Sequence, residues 1–158
     1  MDFKLFRLSD EAREELLAAQ DECTISWTND DGWPVSVIQT YVWRDGRFWL
    51  TAFRNKPRVA ALLARPKAAV AVSSTGTKCG PERMASARAV PTIHDDDATK
   101  QWFYPAFAAV AAGSPAAIDP FVRALTKQDR VIIELEPLTW TSFDGMLLRQ
   151  PPPRPPQQ

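Results

Sequence analysis

The chain has 158 residues, a length that suggests one domain with a sizeable core. Its 19 basic and 19 acidic residues give a formal net charge of zero, so no global field favours nucleic acid or an anionic membrane surface. No apolar run reaches the roughly 18 residues of a membrane-spanning helix. The N-terminal stretch "MDFKLFRLSDEAREELL" carries charge in every turn, unlike a signal peptide. We therefore expect a cytoplasmic protein that binds neither nucleic acid nor membrane.

Few side chains are available for metal or nucleophilic chemistry. Cys23 and Cys79, the only two cysteines, make neither a disulfide framework nor a metal knuckle. His94 is the single histidine, which excludes a histidine metal cluster or a Ser-His-Asp triad within one chain. The acidic run from Asp95 to Asp97 resembles a metal cluster, but a helix start explains it more simply. We predict no metal site.

The first half of the chain predicts a helix followed by strands. Ser9 is placed to cap the helix. Asp45 and Gly46 stand between two strand-like runs and favour a tight hairpin, because such a turn needs positive φ. Pro57 presets the first turn of a second helix, which ends before Pro66. The predicted strands, rich in β-branched and aromatic residues, cover residues 23–28, 35–43, 47–53 and 67–74.

The second half predicts further strands separated by short helices. A fifth strand covers residues 83–90, and residues 130–143 supply one or two more. Between them, a helix begins at the acidic run and is kinked or ended by Pro105. Another begins at Asp119 and Pro120. The alternating β/α order of a parallel doubly wound sheet is missing, so a mainly β, antiparallel barrel is predicted.

The composition divides the chain into one domain, residues 1–145, and a proline-rich tail, residues 146–158. The tail ends in "PPPRPPQQ", a sequence typical of the polyproline conformation. It is either an adaptor ligand or a disordered end, and we expect the latter.

The order of these pieces resembles the pyridoxamine 5'-phosphate oxidase-like superfamily of split β-barrel flavin-binding proteins. The resemblance covers about residues 10–144. It rests on "DGWP" before the second strand, a hairpin ending in "LTAFRNK", a helix closed by "ARPKAAVAV", and "RMASARAV" leading into an acidic connection. It implies an antiparallel split β-barrel of six or seven strands. It also implies a two-fold homodimer with FMN at the dimer interface and a small-molecule substrate.

Within this resemblance, the junction "FRNKP" is the predicted phosphate site. Residues two apart in an extended segment point the same way, so Arg54 and Lys56 can converge on one anion. The following helix adds the positive end of its dipole. The family's usual cation pair is adjacent at this junction, whereas here Asn55 separates the two cations. A solvated basic turn is the alternative.

The resemblance also implies a groove for the flavin ring along the second and third strands. Gln39 and Thr51 can hydrogen bond to ring or phosphate atoms. Val37 and Ile38 fit the core equally well, and Arg83 would either reach the phosphate across the dimer or remain a surface cation. The predicted cofactor-binding residues are Arg54, Lys56, Asn55, Thr51, Leu50, Val37, Ile38, Gln39, Thr40 and Arg83.

Apolar residues beyond the needs of one small barrel predict contacts with other surfaces. Strands two to four carry many such residues, so we expect the dimer to form through the faces that bear Val37, Gln39 and Trp49. The aromatic residues that follow the acidic run either roof a substrate pocket or pack against the barrel. They are Trp102, Phe103, Tyr104 and Phe107.

The leading functional interpretation is an FMN-dependent oxidoreductase of unassigned substrate, in which the flavin carries the redox step. Pyridoxamine phosphate itself is disfavoured as the substrate. The arginine- and histidine-rich C-terminal stretch of true pyridoxamine phosphate oxidases is replaced here by "FDGMLLRQ" and the proline tail. One alternative is a deazaflavin-dependent reductase that uses the same groove. The other is a non-catalytic flavin- or haem-binding stress or storage protein. No residue is identified as a catalytic acid or base.

Overall fold

The structure, a computed structural model, describes residues 3–149 of the chain. Seven antiparallel strands form a single sheet that curls into a half-barrel, which confirms the predicted split β-barrel class. The strands are β1 (Glu22–Thr28), β2 (Pro34–Thr40), β3 (Val42–Arg44), β4 (Arg47–Phe53), β5 (Ala68–Ser73), β6 (Arg83–His94) and β7 (Arg130–Asp144). Their order across the sheet is β2-β1-β5-β6-β7-β4-β3, so β2 and β3 are its two edges.

Four α-helices and three short 3-10 turns connect the strands. The helices are α1 (Asp10–Ala19), α2 (Pro57–Ala64), α3 (Asp97–Ala111) and α4 (Ile118–Thr126). The 3-10 turns are Phe3–Phe6, Pro115–Ala117 and Gly145–Arg149. The last turn occupies the start of the predicted tail, and residues 150–158 lie outside the described residues. No helix within residues 3–149 is long and apolar enough to cross a membrane.

Local chemistry at the element ends agrees with the sequence patterns. The Ser9 hydroxyl accepts a hydrogen bond from the Ala12 amide at 3.1 Å, which caps α1 as predicted. Pro57 occupies the first turn of α2, also as predicted. Asp45 and Gly46 have φ values of 54° and 72° and form a two-residue turn between β3 and β4, which confirms the hairpin.

The predicted single strand over residues 35–43 is wrong: the chain forms β2 and β3, which are separated at Tyr41. The Tyr41 side chain is only 1% exposed, and its hydroxyl donates to the Leu17 carbonyl at 2.7 Å. Its amide donates to the Asp21 carbonyl at 3.1 Å. These long-range bonds hold a bend that carries the chain from one edge of the sheet to the other. The local residue pattern is uninterrupted there, so it gives no signal of the bend.

The sequence predicted that Pro105 kinks or ends its helix, and an end there is wrong, because α3 continues to Ala111. Pro105 itself is exposed, whereas its neighbours Tyr104 and Phe107 are buried against the barrel. Burial of apolar side chains on both sides of the proline holds the helix together across the missing backbone hydrogen bond.

Two apolar clusters build the core. The larger one fills the barrel interior with residues such as Ile25, Leu50, Val70 and Ile133. The smaller one packs α3 and α4 against the outside of β3, β4 and β7. Packing against the barrel, one of the two interpretations of the aromatic run, is therefore confirmed for Phe103 and Tyr104, and Phe107 is buried in the same cluster.

Strand β7 joins the two parts of the sheet. Residues 130–135 of β7 pair with β4, and residues 132–144 pair with β6. The sequence predicted one or two strands in this region, and the structure has one strand of 15 residues. The register shifts opposite Arg88 and Ala89, where Leu138 has no cross-strand partner and is 63% exposed. This bulge accommodates Pro137 inside a long strand.

Candidate functional site

A cavity of about 410 Å³ lies where β2 approaches β4, outside the barrel core. Residues of β2, β4, α2, α3, α4 and the start of β7 line it. Its apolar wall includes Phe53, Phe107 and Phe121. Its polar groups come from Gln39, Thr40, Thr51, Arg58, Gln128 and Arg130. The combination of an aromatic wall and a few polar groups is typical of a small-molecule site.

Thr51 organises the polar groups of the cavity. Its hydroxyl donates to the Val131 carbonyl at 2.9 Å and accepts from Arg130 Nε at 3.1 Å. Its carbonyl accepts from Gln39 Nε2 at 2.5 Å, a bond that bridges β2 and β4. The hydroxyl hydrogen of Thr51 is therefore already in use, and this residue orients its neighbours.

Arg130, at the start of β7, lies in the cavity over an aromatic ring. Its guanidinium carbon is 4.4 Å from the centre of the Phe53 ring. Its Nη1 donates to Gln128 Oε1 at 2.9 Å. Burial lowers the pKa of Arg130, and no carboxylate within residues 3–149 pairs with it.

Arg58, in the first turn of α2, is the second cation of the cavity. Its Nε is buried and has no hydrogen-bond partner within residues 3–149. Burial lowers the pKa of Arg58, and the charge of nearby Arg130 lowers it further. Two partly buried positive charges that repel each other, with no carboxylate between them, would be stabilised by an anion.

Gln39 contributes an acceptor next to these cations. Its Nε2 is bonded to the Thr51 carbonyl, whereas its Oε1 is buried and has no partner in the described chain. A buried acceptor without a partner costs free energy, which a ligand hydroxyl or N–H group would recover.

The predicted phosphate residue Arg54 lies beside this cavity and already has partners. Its Nε donates to Asp129 Oδ1 at 2.8 Å, and its Nη2 donates to Asp95 Oδ2 at 2.6 Å. These bonds raise the pKa of Arg54, the Asp129 bond most. Asp95 also accepts from Lys100 at 2.6 Å. A phosphate at Arg54 would therefore compete with two carboxylates.

The other two residues of the predicted junction are exposed. Asn55 lies in the turn after β4, and Lys56 is the residue that precedes α2. Neither lines the cavity, whereas Arg58, two residues further on, does. Their cofactor role stays a prediction.

The remaining predicted residues are distributed over several surroundings. Thr40 lines the cavity. Leu50 is fully buried in the barrel core, and Val37 packs against that core. Ile38 is 72% exposed on the opposite face of β2. The structure thus brings Gln39, Thr40 and Thr51 together and places the rest of the strand residues elsewhere.

Arg83 lies far along the sheet from the cavity within one chain. It pairs with the end of β7, where its Nε is 3.1 Å from Asp144 Oδ2, whereas Arg130 begins β7. Its Nη1 also donates to the Cys79 carbonyl at 2.7 Å. A role across a dimer stays a prediction.

Arg58 and Arg130 were absent from the sequence-based site. One signal was available for Arg58: residues 57–67 contain three cations and no acidic residue, so the arginines there have no local partner. For Arg130 the sequence carried no such signal, because its place beside Thr51 depends on pairing between β4 and β7.

His94 is held by carboxylates. Its Nε2 is 2.6 Å from Glu134 Oε2, and its Nδ1 is 3.8 Å from Asp96 Oδ2. Asp96 also caps α3 by accepting from the Thr99 amide at 2.8 Å, which confirms the helix-start interpretation of the acidic run. Residues 3–149 contain no group of three or more histidine, cysteine or acidic side chains placed to hold a metal ion.

Comparison with known proteins identifies the fold. No protein-family model matches the sequence, and no curated protein matches it. A conserved hypothetical protein from Mycobacterium tuberculosis has a similar structure, with a TM-score of 0.80 and 18% identity over 92% of this chain and 91% of that chain. The structure is thus similar over nearly the whole chain, although the sequences have diverged.

Two further solved structures are similar. An F420 reductase aligns with a TM-score of 0.62 and 21% identity over 81% of this chain and 94% of its own. The haem storage protein HutZ from Vibrio cholerae aligns with a TM-score of 0.61 and 14% identity over 85% of this chain and 96% of its own. The chain therefore has the split β-barrel fold that these structures share.

Proposed function

We propose that the protein is an FMN-dependent oxidoreductase that binds the phosphate of FMN in the cavity between β2, β4 and α4. The observation that carries the proposal is the pair of partly buried guanidinium groups, Arg58 and Arg130, which no carboxylate within residues 3–149 neutralises. The FMN phosphate is a dianion, so its charge matches that of the pair.

The other groups of the cavity fit the rest of the FMN side chain. The unpartnered Oε1 of Gln39 would accept from a ribityl hydroxyl, which lies next to the phosphate in FMN. The aromatic wall of Phe53, Phe107 and Phe121 supplies an apolar surface beside the polar groups. When bound, the flavin supplies the redox chemistry, and these residues hold and orient it.

The same charges favour FMN over a deazaflavin. A phosphate diester, as in a deazaflavin cofactor such as F420, carries a single negative charge, so the phosphate alone matches only one of the two guanidinium charges. The similarity to an F420 reductase supports this alternative, a deazaflavin-dependent reductase, at the level of the fold.

A haem-binding storage function is a second alternative, supported by the similarity to HutZ. Histidine is a common ligand of haem iron, but both ring nitrogens of His94, the single histidine, face carboxylates. An absorbance spectrum of the purified protein separates the three cofactors, since flavin, deazaflavin and haem absorb at different wavelengths.

We also infer a homodimer with the cofactor at its interface, a small-molecule substrate and a cytoplasmic location. The two free and buried thiols fit a reducing compartment. The predicted contact faces need revision, because Val37 and Trp49 pack against apolar clusters of their own chain. The exposed side chains of Trp33, Ile38 and Phe53 are better placed to meet a partner.

A flavin titration tests the phosphate site. We expect the double variant Arg58→Ala/Arg130→Ala to bind FMN about a hundredfold or more weakly than wild type, since each charge-assisted hydrogen bond is worth about 1.5–3 kcal/mol. Riboflavin, which lacks the phosphate, should bind both proteins equally. Quenching of flavin fluorescence measures both affinities.

The matched control is Arg54→Ala/Lys56→Ala, which removes the same charge from the neighbouring junction. We expect a much smaller loss of FMN affinity from it. A larger loss of FMN affinity in the control than in the cavity variant would show that the phosphate binds at the junction, at Arg54 and Lys56. Unchanged FMN affinity in both variants, with their unfolding midpoints preserved, would contradict a phosphate site in this region.

A further inference from the structure

We infer that Arg54 is a positioning residue for the phosphate site, which acts through Asp129 on Arg130 and makes no contact with the phosphate. This inference rests on the proposed function. It assigns to Arg54 a role different from the direct phosphate contact that the sequence suggested.

The contacts of Arg54 converge on one point of the fold. The ladder between β4 and β7 ends at the pair Phe53 and Arg130. Just beyond it, the Arg54 amide donates to the Asp129 carbonyl at 3.0 Å, and the Arg54 side chain holds the Asp129 carboxylate at 2.8 Å. Arg54 therefore fixes both the backbone and the side chain of the residue that precedes Arg130.

A third bond ties this point to the start of α3. Arg54 Nη2 donates to Asp95, which in turn accepts from Lys100 in α3. Arg54 thus joins the β4–α2, β6–α3 and α4–β7 connections at one place. Strand ends fray unless they are tied down, so the two bonds from Arg54 to Asp129 keep Arg130 in register over Phe53, and the Asp95 bond is not needed for this.

Removal of the Asp129 carboxylate changes FMN affinity in opposite directions under the two roles considered for Arg54, direct contact with the phosphate and positioning of Arg130. If Arg54 contacted the phosphate, Asp129 would be a competitor, and removing its negative charge would strengthen FMN binding. If Arg54 positions Arg130 through Asp129, the same change loosens Arg130 and weakens FMN binding. The sign of the change therefore decides between the two roles.

The experiment compares Asp129→Ala with Asp95→Ala. Both changes remove one exposed carboxylate bound to Arg54, but only Asp129 adjoins Arg130. We expect Asp129→Ala and Arg54→Ala each to weaken FMN binding by about tenfold with riboflavin binding unchanged. Asp95→Ala should change FMN affinity by less than about threefold. The ratio of FMN to riboflavin affinity is the readout, because general destabilisation would lower both.

Stronger or unchanged FMN binding in Asp129→Ala would overturn the inference. If Arg58→Ala/Arg130→Ala nevertheless lost most of its FMN affinity, the proposed phosphate site would be supported and only the positioning role of Arg54 would be contradicted. If Arg58→Ala/Arg130→Ala had no effect, the proposed site itself would fall. Unfolding midpoints of all variants, measured by urea denaturation, show whether each remains folded.

Discussion

At the scale of single residues, Thr51 connects two other polar residues of the cavity, although it is itself shielded from solvent. Its hydroxyl and carbonyl orient Arg130 and Gln39 from opposite sides. The sequence predicted Thr51 and Gln39 as cofactor residues, and this stays a prediction. Their places at the cavity depend on contacts between β2, β4 and β7, which no local pattern shows.

We expect Thr51→Val to weaken both the cavity and the fold. Valine has nearly the shape of threonine but cannot bond to Val131 or Arg130, so the buried Val131 carbonyl and the half-buried Arg130 guanidinium each lose a partner. Such a loss costs about 1–3 kcal/mol in the free energy of unfolding. Urea denaturation measures it, and a flavin titration should show weaker FMN binding. Thr51→Ser keeps the hydroxyl and should stay close to wild type in FMN affinity; equal effects of the two changes would contradict this role.

Two buried acidic groups predict a loss of stability at high pH. Burial raises the pKa of the Cys23 thiol from 9.0 to about 12, and burial also raises the pKa of Tyr41. Both groups lose their protons more readily in the unfolded chain. Their contribution to stability is therefore complete below the unfolded pKa and is lost as the pH rises towards the folded pKa.

The free energy of unfolding should thus fall between about pH 9 and pH 12, by up to about 1.4 kcal/mol per pH unit for each group. Cys23→Ala removes one of the two groups, and its stability should fall less steeply over this range. Urea denaturation at a series of pH values measures both slopes. Parallel slopes for the two proteins would show that Cys23 does not titrate in this way.

At the scale of elements, turn and cap residues predicted the fold better than strand continuity did. Asp45 and Gly46 specify their hairpin because positive φ is a local requirement. The bend at Tyr41 depends on distant partners in α1 and its following loop, so the sequence showed one strand where there are two. The continuation of α3 past Pro105 likewise depends on burial of its neighbours against the barrel.

We expect Pro105→Ala to stabilise the protein. Proline inside a helix costs about 3 kcal/mol relative to alanine, and the exposed ring of Pro105 contributes little packing. Proline also restricts the unfolded chain, which offsets part of this cost. An increase of about 1–2 kcal/mol in the free energy of unfolding is the expected result of urea denaturation. A decrease would mean that the ring stabilises α3 through contacts of its own.

At the scale of the whole molecule, the exposed apolar residues of the sheet are relevant to dimer formation. The apolar residues expected at a dimer interface are divided between the chain's own clusters and isolated exposed positions such as Ile38. We expect a dimer at micromolar concentration by light scattering, and Ile38→Glu should shift it towards the monomer. The matched control is Leu148→Glu, at an exposed leucine near the other end of the chain, which should leave the molar mass measured by light scattering unchanged. A wild-type monomer would contradict the dimer.

The open side of the half-barrel has a consequence for local opening of the structure. Strand β3 pairs only with residues 47–49 of β4. Residues 50–53 of β4 therefore face β2 without backbone pairing on that side, and the Gln39 side chain bridges the gap. Among the described residues, the hydrogen bond from Gln39 is the one that joins β2 to β4, whereas backbone ladders join the neighbouring strands of the sheet. Native-state hydrogen exchange should therefore begin along β2 and the end of β4. A ligand held across this gap would slow exchange in both strands together, including at amides that it never touches.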